Sequence, residues 1–423
     1  MRLVYSIGIL FYSVGIRIAA FFGHRNARLM VAGWKRWSQE VAKLSHQRPT
    51  TWFHAASLGE FEQARPVLEE YRRRHPDHQI LVTFFSPSGY EVRKNYALAD
   101  AICYLPMDTP RNVRRFVFDA DPDTVFFVKY EFWYNYLNAI KNWGAKTYIF
   151  SSIFRPGQYF FKWYGRWFRK QLGRCFDHLF VQNEESLQLL KSHGISQCSL
   201  AGDTRFDRVN QIAAAAEPDA VVEHFLQGHE GPVLVAGSTW PPDEQLLARL
   251  RESKEWFPER IIIAPHEIHE EHLRSIEAIL PDSIRYSSFS SSSRFSSSSS
   301  LTSPTSSTGR VLIIDNIGLL SKLYRYATVA YIGGGFGVGI HNILEAVAYG
   351  KPVVFGPNYH KFQEAHDIID LGGGMTVDEH PDVSLLRKWF TDDEVYRAAS
   401  DACLQLMRRN LGSTHKILNS IEA

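Results

Sequence analysis

Cysteine is scarce: four in 423 residues, at Cys103, Cys175, Cys198 and Cys403. They lie far apart and form no C-x-x-C pair, which argues against a disulfide framework or a zinc site and for reduced thiols in the cytoplasm. Charge of one sign is lacking too, and a net charge of +2 says little by itself. Three motifs are missing. No G-x-G-x-x-G fingerprint is followed about 20 residues on by an acid, no glycine loop ends in Gly-Lys-Ser/Thr, and His266-Glu267-Ile268-His269 departs from the His-Glu-x-x-His of zinc proteases. With His272 it reads as a polar turn and helix face rather than a metal site. Asp121-Pro122-Asp123 resembles a metal-binding Asp-x-Asp but directly precedes a strand, so it reads as a turn.

A long uninterrupted apolar run is also lacking. Residues 3–16 are apolar until Arg17 interrupts, short of the roughly 20 residues of a spanning helix. With Arg25, Arg28, Lys35 and Arg36 just beyond, a helix lying at a membrane interface fits best. A tilted span, a signal peptide ending near Ala19-Ala20 and a buried core helix are the other readings.

What is present is length and alternation. A chain of 423 residues exceeds the ~250–300 residues of a single core, so two domains are expected. Strand-like runs at 51–56, 79–84, 101–105, 124–128, 146–150 and 178–182 alternate with helical patterns, which predicts a parallel sheet covered on both faces, with binding loops at the strands' carboxyl ends. Glu60 follows the first of these strands and Glu131 a middle one. Two carboxylates at the ends of neighbouring strands can act together, one as general base and the other orienting a hydroxyl or raising its neighbour's pKa. From spacing alone, the plainer reading of Glu60 is a first-turn carboxylate complementing the helix dipole. Residues 153–170 interleave aromatics with Arg155, Lys162, Arg166, Arg169 and Lys170. That pattern suits base stacking, an anionic membrane surface or a solvated basic helix face, and the apolar N-terminus favours the membrane.

The stretch 332–365, IGGGFGVGIHNILEAVAYGKPVVFGPNYHKFQEA, is the part the rest is arranged around. An apolar strand at 328–332 meets Gly333-Gly334-Gly335, and a helical pattern opens at His341-Asn342-Ile343-Leu344-Glu345. This predicts a βαβ unit whose glycine-loop amides and helix start hold a phosphate, with Glu345 on ribose hydroxyls. Strands at 233–236, 261–264 and 311–314 belong to the same domain. A serine-rich tract at 287–308 reads as a floppy surface insertion.

Taken in order, the strand with SLGEFEQA, the Glu131-Phe132-Trp133 loop, GDTRFD, and the glycine loop with HNILEA and GKPVVFGP resemble the 3-deoxy-D-manno-octulosonic acid (Kdo) transferases of lipopolysaccharide synthesis. The resemblance covers nearly the whole chain. It implies an α/β GT-B fold of two Rossmann-like domains with a cleft between them. The expected boundaries are an N-terminal anchor at 1–22, an acceptor domain at 23–208, a linker at 209–225, a CMP-sugar domain at 226–405 with an insertion at 286–309, and a C-terminal helix at 406–423 packing back on the first domain. It also implies an inverting, metal-independent transfer of Kdo from CMP-Kdo to the lipid A precursor, at the cytoplasmic face of the inner membrane, with no cofactor and no nucleic acid. Glu60 matches the family's base and Glu131 its second acid. Pro265 and His266, Gly318, Leu319 and Leu320, and Asn342, Ile343, Leu344 and Glu345 match CMP contacts. The family usually has Pro-Arg where this chain has Pro265-His266. Another GT-B sugar-nucleotide transferase or epimerase, or a non-catalytic membrane-docked nucleotide-binding protein, is the alternative.

Overall fold

The computed structural model describes residues 2–253, 256–293, 309–379 and 381–423. The chain divides into two compact units, residues 1–208 with 411–423, and residues 209–410.

The first unit is built on a seven-stranded parallel sheet: β1 (Thr50–Ala55), β2 (Gln79–Phe84), β3 (Ala101–Tyr104), β4 (Pro122–Val128), β5 (Lys146–Ser152), β6 (His178–Val181) and β7 (Cys198–Leu200), in the order β3-β2-β1-β4-β5-β6-β7. Apolar, β-branched and aromatic runs such as Val125-Phe126-Phe127-Val128 supply these strands. With both sheet faces covered, they are buried without alternation. Trp52, Phe53, Phe126 and Phe127 are almost wholly buried at the centre. The turn expected at Asp121-Pro122-Asp123 is confined to Asp121, a left-handed helix cap (φ 43°); Pro122 and Asp123 already belong to β4, where Asp123 accepts the Thr50 amide at 2.8 Å.

The motif GDTRFD closes this unit. Asp203 accepts from the Gln63 side chain at 3.2 Å and from Arg205. Asp207 accepts the amides of Gly412 and Thr414, each at 2.7 Å, and so caps the last helix, Ser413–Glu422. That helix packs on the helix Leu58–Arg74, where Arg74 reaches Glu422 at 2.7 Å and Asn419 at 2.8 Å. Gly412 (φ 92°) separates it from the preceding helix Asp393–Asn410, so the C-terminus is two helices.

The second unit repeats the plan with β8 (Val233–Thr239), β9 (Arg260–Pro265), β10 (Ser283–Arg285), β11 (Val311–Ile313), β12 (Val329–Ile332), β13 (Val353–Phe355) and β14 (Gly374–Thr376), ordered β10-β11-β9-β8-β12-β13-β14, all parallel. Helices Thr204–Ala214 and Ala220–Leu226 occupy most of the segment expected as a linker. The serine tract departs from expectation at its start. Residues Tyr286–Ser293 form a helix in which Phe289 is buried, Tyr286 donates to Asp219 at 3.0 Å, and the Ser287 hydroxyl donates to Asp315. One aromatic in the tract, Phe289, supplies the apolar anchor that a serine count hides. Residues 294–308 of the tract lie outside the described residues.

The N-terminal helix Arg2–Phe21 continues through Arg17 and is, by length and composition, apolar enough to cross a membrane. Leu3, Phe11, Phe21 and Phe22 are largely exposed. Its inner side docks by polar contact. The Tyr5 hydroxyl donates to Asp108 at 2.6 Å and accepts the Tyr134 amide at 3.3 Å. Asp108 also accepts the Asn135 and Tyr136 amides at 3.1 and 2.9 Å. Burial pushes the Asp108 carboxyl up to about 7, against the pull of these donors. Replacing Tyr5 by Phe removes one charge-assisted donor, worth about 1.5–3 kcal/mol. Proteolysis near Gly23 should become faster while the cooperative melting of the sheet stays in place. Unchanged proteolysis would show that Tyr5 does not hold the helix.

Candidate functional site

Each sheet has a switch point where the connections of two neighbouring strands lead off in opposite directions, between β1 and β4 and between β8 and β12; in the second sheet β10 also lies outside β11 at the edge. Crossovers leave such a pair in opposite directions, so the loops at its carboxyl edge are not covered by the connecting helices.

At the first switch point β1 and β4 are hydrogen-bonded neighbours, and this brings Glu60 and Glu131 together. Glu60 lies in the first turn of the helix Leu58–Arg74. Ser57 accepts the Glu60 amide at 3.5 Å, and Glu60 Oε2 accepts the Ser57 amide at 3.1 Å, a reciprocal capping box. The plain reading of Glu60 as a helix-terminus carboxylate therefore holds, and it fixes the side chain without excluding chemistry. Burial and the Glu131 charge raise the Glu60 pKa above the carboxylate range, while His54, the Ala56 amide and Lys129 oppose them. Lys129 takes a left-handed backbone (φ 60°) immediately after β4, a sparsely populated conformation costing about 1 kcal/mol that turns the chain toward Glu131.

Sequence reading missed His54. It is fully buried in β1, its Nε2 lies 3.2 Å from Glu131 Oε2, and its Nδ1 lies 2.8 Å from Thr83 Oγ1. Trp133 Nε1 donates to the same Glu131 oxygen at 2.5 Å. The signal was available, since a histidine in an otherwise apolar strand needs buried partners.

The second switch point gathers the loops after β8, β9, β11 and β12. His266, directly after β9, stacks on Trp240 (4.8 Å between centroids) and on His341 (4.5 Å), and Trp240 Nε1 donates to His341 Nε2 at 3.2 Å. Burial and the neighbouring His266 lower the His341 pKa, with Asp243 opposing. Pro265 is buried as the last residue of β9. Gly318 is left-handed (φ 96°), and Leu320 packs where a side chain on Gly237 would stand, which brings Gly318, Leu319 and Leu320 to the end of β8. Asn342 Oδ1 accepts the Leu344 amide at 3.2 Å and its Nδ2 donates to Glu345 at 3.1 Å.

Three expectations need correction here. The glycines are packed against protein: a Cβ on Gly333 would meet Ser238 O at 2.2 Å, and one on Gly335 would meet Gly356 Cα at 2.5 Å. The loop amides of Gly333, Gly334, Gly337, Gly339, Ile340 and His341 already have partners, Gly334 with Asp243 at 3.0 Å. The helix is also one turn, Leu344–Val347, too short for an appreciable dipole. Finally, Ile343 and Leu344 bury their side chains, so they present only main chain to a ligand. Donors near the start of the short helix include the Asn342 and Ile343 amides and the Asn342 and His341 side chains. Among the described residues, no three His, Cys, Asp or Glu side chains gather as a metal-ligand set. His269 caps the helix Glu270–Ile279, and His272 is buried against Glu244 at 3.0 Å.

Asp243 organises the whole edge. Fully buried, it accepts from the Tyr331 hydroxyl at 2.7 Å, the Trp240 amide at 2.9 Å and the Gly334 amide. Asp243→Ala leaves three buried donors unmet and should cost about 3 kcal/mol or more. Denaturant melts will check this, and a loss under about 1 kcal/mol would show that water replaces the carboxylate.

Residues 34–208 match the family model described as 3-Deoxy-D-manno-octulosonic-acid transferase (kdotransferase). The chain is 26% identical over 339 residues to the 3-deoxy-D-manno-octulosonic acid transferase of Aquifex aeolicus, covering 79% of this chain and 84% of that one. It is 27% identical over 381 residues to that of Chlamydia muridarum, covering 87% and 84%. Among solved structures, the UDP-GlcNAc 2-epimerase from Neisseria meningitidis bound to UDP-GlcNAc superposes with a TM-score of 0.61 at 13% identity, over 88% of this chain and 99% of that one. A glycosyltransferase from Rickettsia africae gives 0.54 at 12% identity, over 88% and 98%. The structural likeness establishes a two-domain α/β GT-B fold. The family domain over 34–208 and the similarity to named Kdo transferases along most of the chain together support a glycosyltransferase of the Kdo transferase kind.

Proposed function

We propose that this protein transfers Kdo from CMP-Kdo to the lipid A precursor in lipopolysaccharide synthesis, with inversion and without a metal ion. The carrying observation is the surroundings of the two acids. Trp133, which donates to Glu131, packs its ring on Phe85 (5.0 Å), and Phe85 stacks on Tyr12 of the exposed apolar helix (6.2 Å). An acceptor alcohol on a lipid held at a membrane surface by that helix would arrive beside Glu60 and Glu131. A water-soluble acceptor needs no such placement.

In this reading Glu60 takes the proton from the acceptor hydroxyl as its oxygen attacks the anomeric carbon, and the bond to the CMP phosphate breaks with its electron pair leaving on CMP. The raised proton affinity of Glu60 makes it a stronger base than an ordinary carboxylate. CMP is a stable leaving group, and the donors at His341, Asn342 and Ile343 would face its charge, so no divalent ion is required. Glu345, held by Asn342, would take the ribose hydroxyls. Exposed Trp163 and Tyr164, together with the N-terminal helix, would rest on the cytoplasmic face of the inner membrane, an anionic surface.

Mass spectrometry of a reaction with CMP-Kdo and purified acceptor lipid tests this reading, with UDP-sugars offered in parallel; product from UDP-sugars alone would favour another GT-B chemistry. Glu60→Ala should abolish transfer and leave CMP-Kdo binding nearly intact, and near-wild-type turnover would overturn the base assignment. Since Glu60 must be ionised to act, kcat/KM should fall as pH drops through its raised pKa, at a higher pH than an ordinary carboxylate would show. Glu345→Ala should weaken CMP binding in a titration, and unchanged affinity would remove the ribose role.

A further inference from the structure

The buried side chains behind Glu131 form a chain of hydrogen bonds whose directions can be worked out donor by donor. Trp52 Nε1 is a donor only, and it lies 2.7 Å from Thr83 Oγ1, so that oxygen accepts. In the Nε2–H tautomer of His54, the Thr83 hydroxyl proton goes to Nδ1, 2.8 Å away. In that tautomer Nε2 donates to Glu131 Oε2 at 3.2 Å. A carboxylate accepts this bond and a carboxylic acid proton on the same oxygen would oppose it. Trp133 Nε1 donates to that oxygen as well. Trp52, Thr83 and His54 are all fully buried, on the adjacent strands β1 and β2, so water does not compete for the links among them.

We propose that His54 is a positioning residue that holds Glu131 as a fixed anion beside Glu60, so that Glu131 sets the basicity of Glu60 and does not itself exchange protons during transfer. The inference rests on the reading of Glu60 as the base. It divides the labour between the two acids: Glu60 carries the proton that moves, and Glu131, with both donors on one oxygen, supplies a standing negative charge. The charged and titratable groups facing this pair are His54 from β1, Lys129 and Glu131 from the loop after β4, and Glu60 from its own helix. Their balance leaves Glu60 with a raised proton affinity, in keeping with a charged Glu131. Like charges so close are tolerated when one of them is saturated with donors.

The test is the pH profile of kcat/KM with CMP-Kdo and acceptor lipid. His54→Leu keeps the bulk and removes the Nε2 donor, so the less compensated Glu131 charge makes Glu60 hold its proton more tightly and the acid limb should move to higher pH by about one unit, which is about a tenfold loss of rate below the limb. His54→Gln returns an N–H donor toward Glu131 and should restore the limb. Thr83→Val, which frees the tautomer, should shift it in the same direction by less. KM for CMP-Kdo should stay unchanged in all three. Loss of rate by the same factor at every pH, or failure of Gln to restore the limb, would overturn the proposal and leave His54 a packing residue. Glu60→Gln, assayed alongside, separates the two claims: retained turnover there removes the base reading, whereas lost turnover with an unmoved limb in His54→Leu removes only the role of His54.

Discussion

A parallel sheet with a switch point leaves an edge where two neighbouring strands send their chains to opposite faces, and this constraint governs both halves of the molecule. At β1/β4 it places a capping-box glutamate next to a strand-end glutamate. At β8/β12 it gathers the loops that hold Trp240, His266, His341 and Asn342. The crossover helices cannot cover that edge, so polar groups there stay within reach of a ligand while their supports are buried.

Buried charges carry much of the positioning. Asp243 ties Trp240, Tyr331 and Gly334 together, Asp207 caps the last helix, Asp108 receives Tyr5, and Glu131 receives His54 and Trp133. Asp243, Asp207 and Asp108 are carboxyl groups taken out of water and Glu131 is partly so, and each is compensated by two or more donors, the condition under which burial of a charge is sustained. The result is loop geometry set by electrostatics at points where apolar packing alone would leave several conformations close in energy.

Some of the site was legible along the chain and some was not. Glu60 and Glu131 stand directly after apolar strand runs, and a period-two or continuous apolar pattern ends where the sheet ends, so their location at the carboxyl edge followed from local pattern. The glycine run was read as an anion cradle, yet its glycines answer to the approach of Ser238 and Gly356, main-chain neighbours distant in sequence. His54 signalled only that a polar side chain in an apolar strand needs buried partners; which partners it has was not legible, because Thr83 comes from β2 and Glu131 from the loop after β4.

Residue order by itself determined the alternating elements, the two parallel-sheet units, the family resemblance and the two acids, because these depend on periodicity and short motifs that neighbours in sequence define. Tertiary structure alone decided which strands are adjacent, that β1 lies beside β4, that His266 stacks between Trp240 and His341, and which loop amides already have partners. Those outcomes depend on contacts between residues tens to more than a hundred positions apart. Their energies appear only when strand pairing has brought the groups within hydrogen-bonding distance.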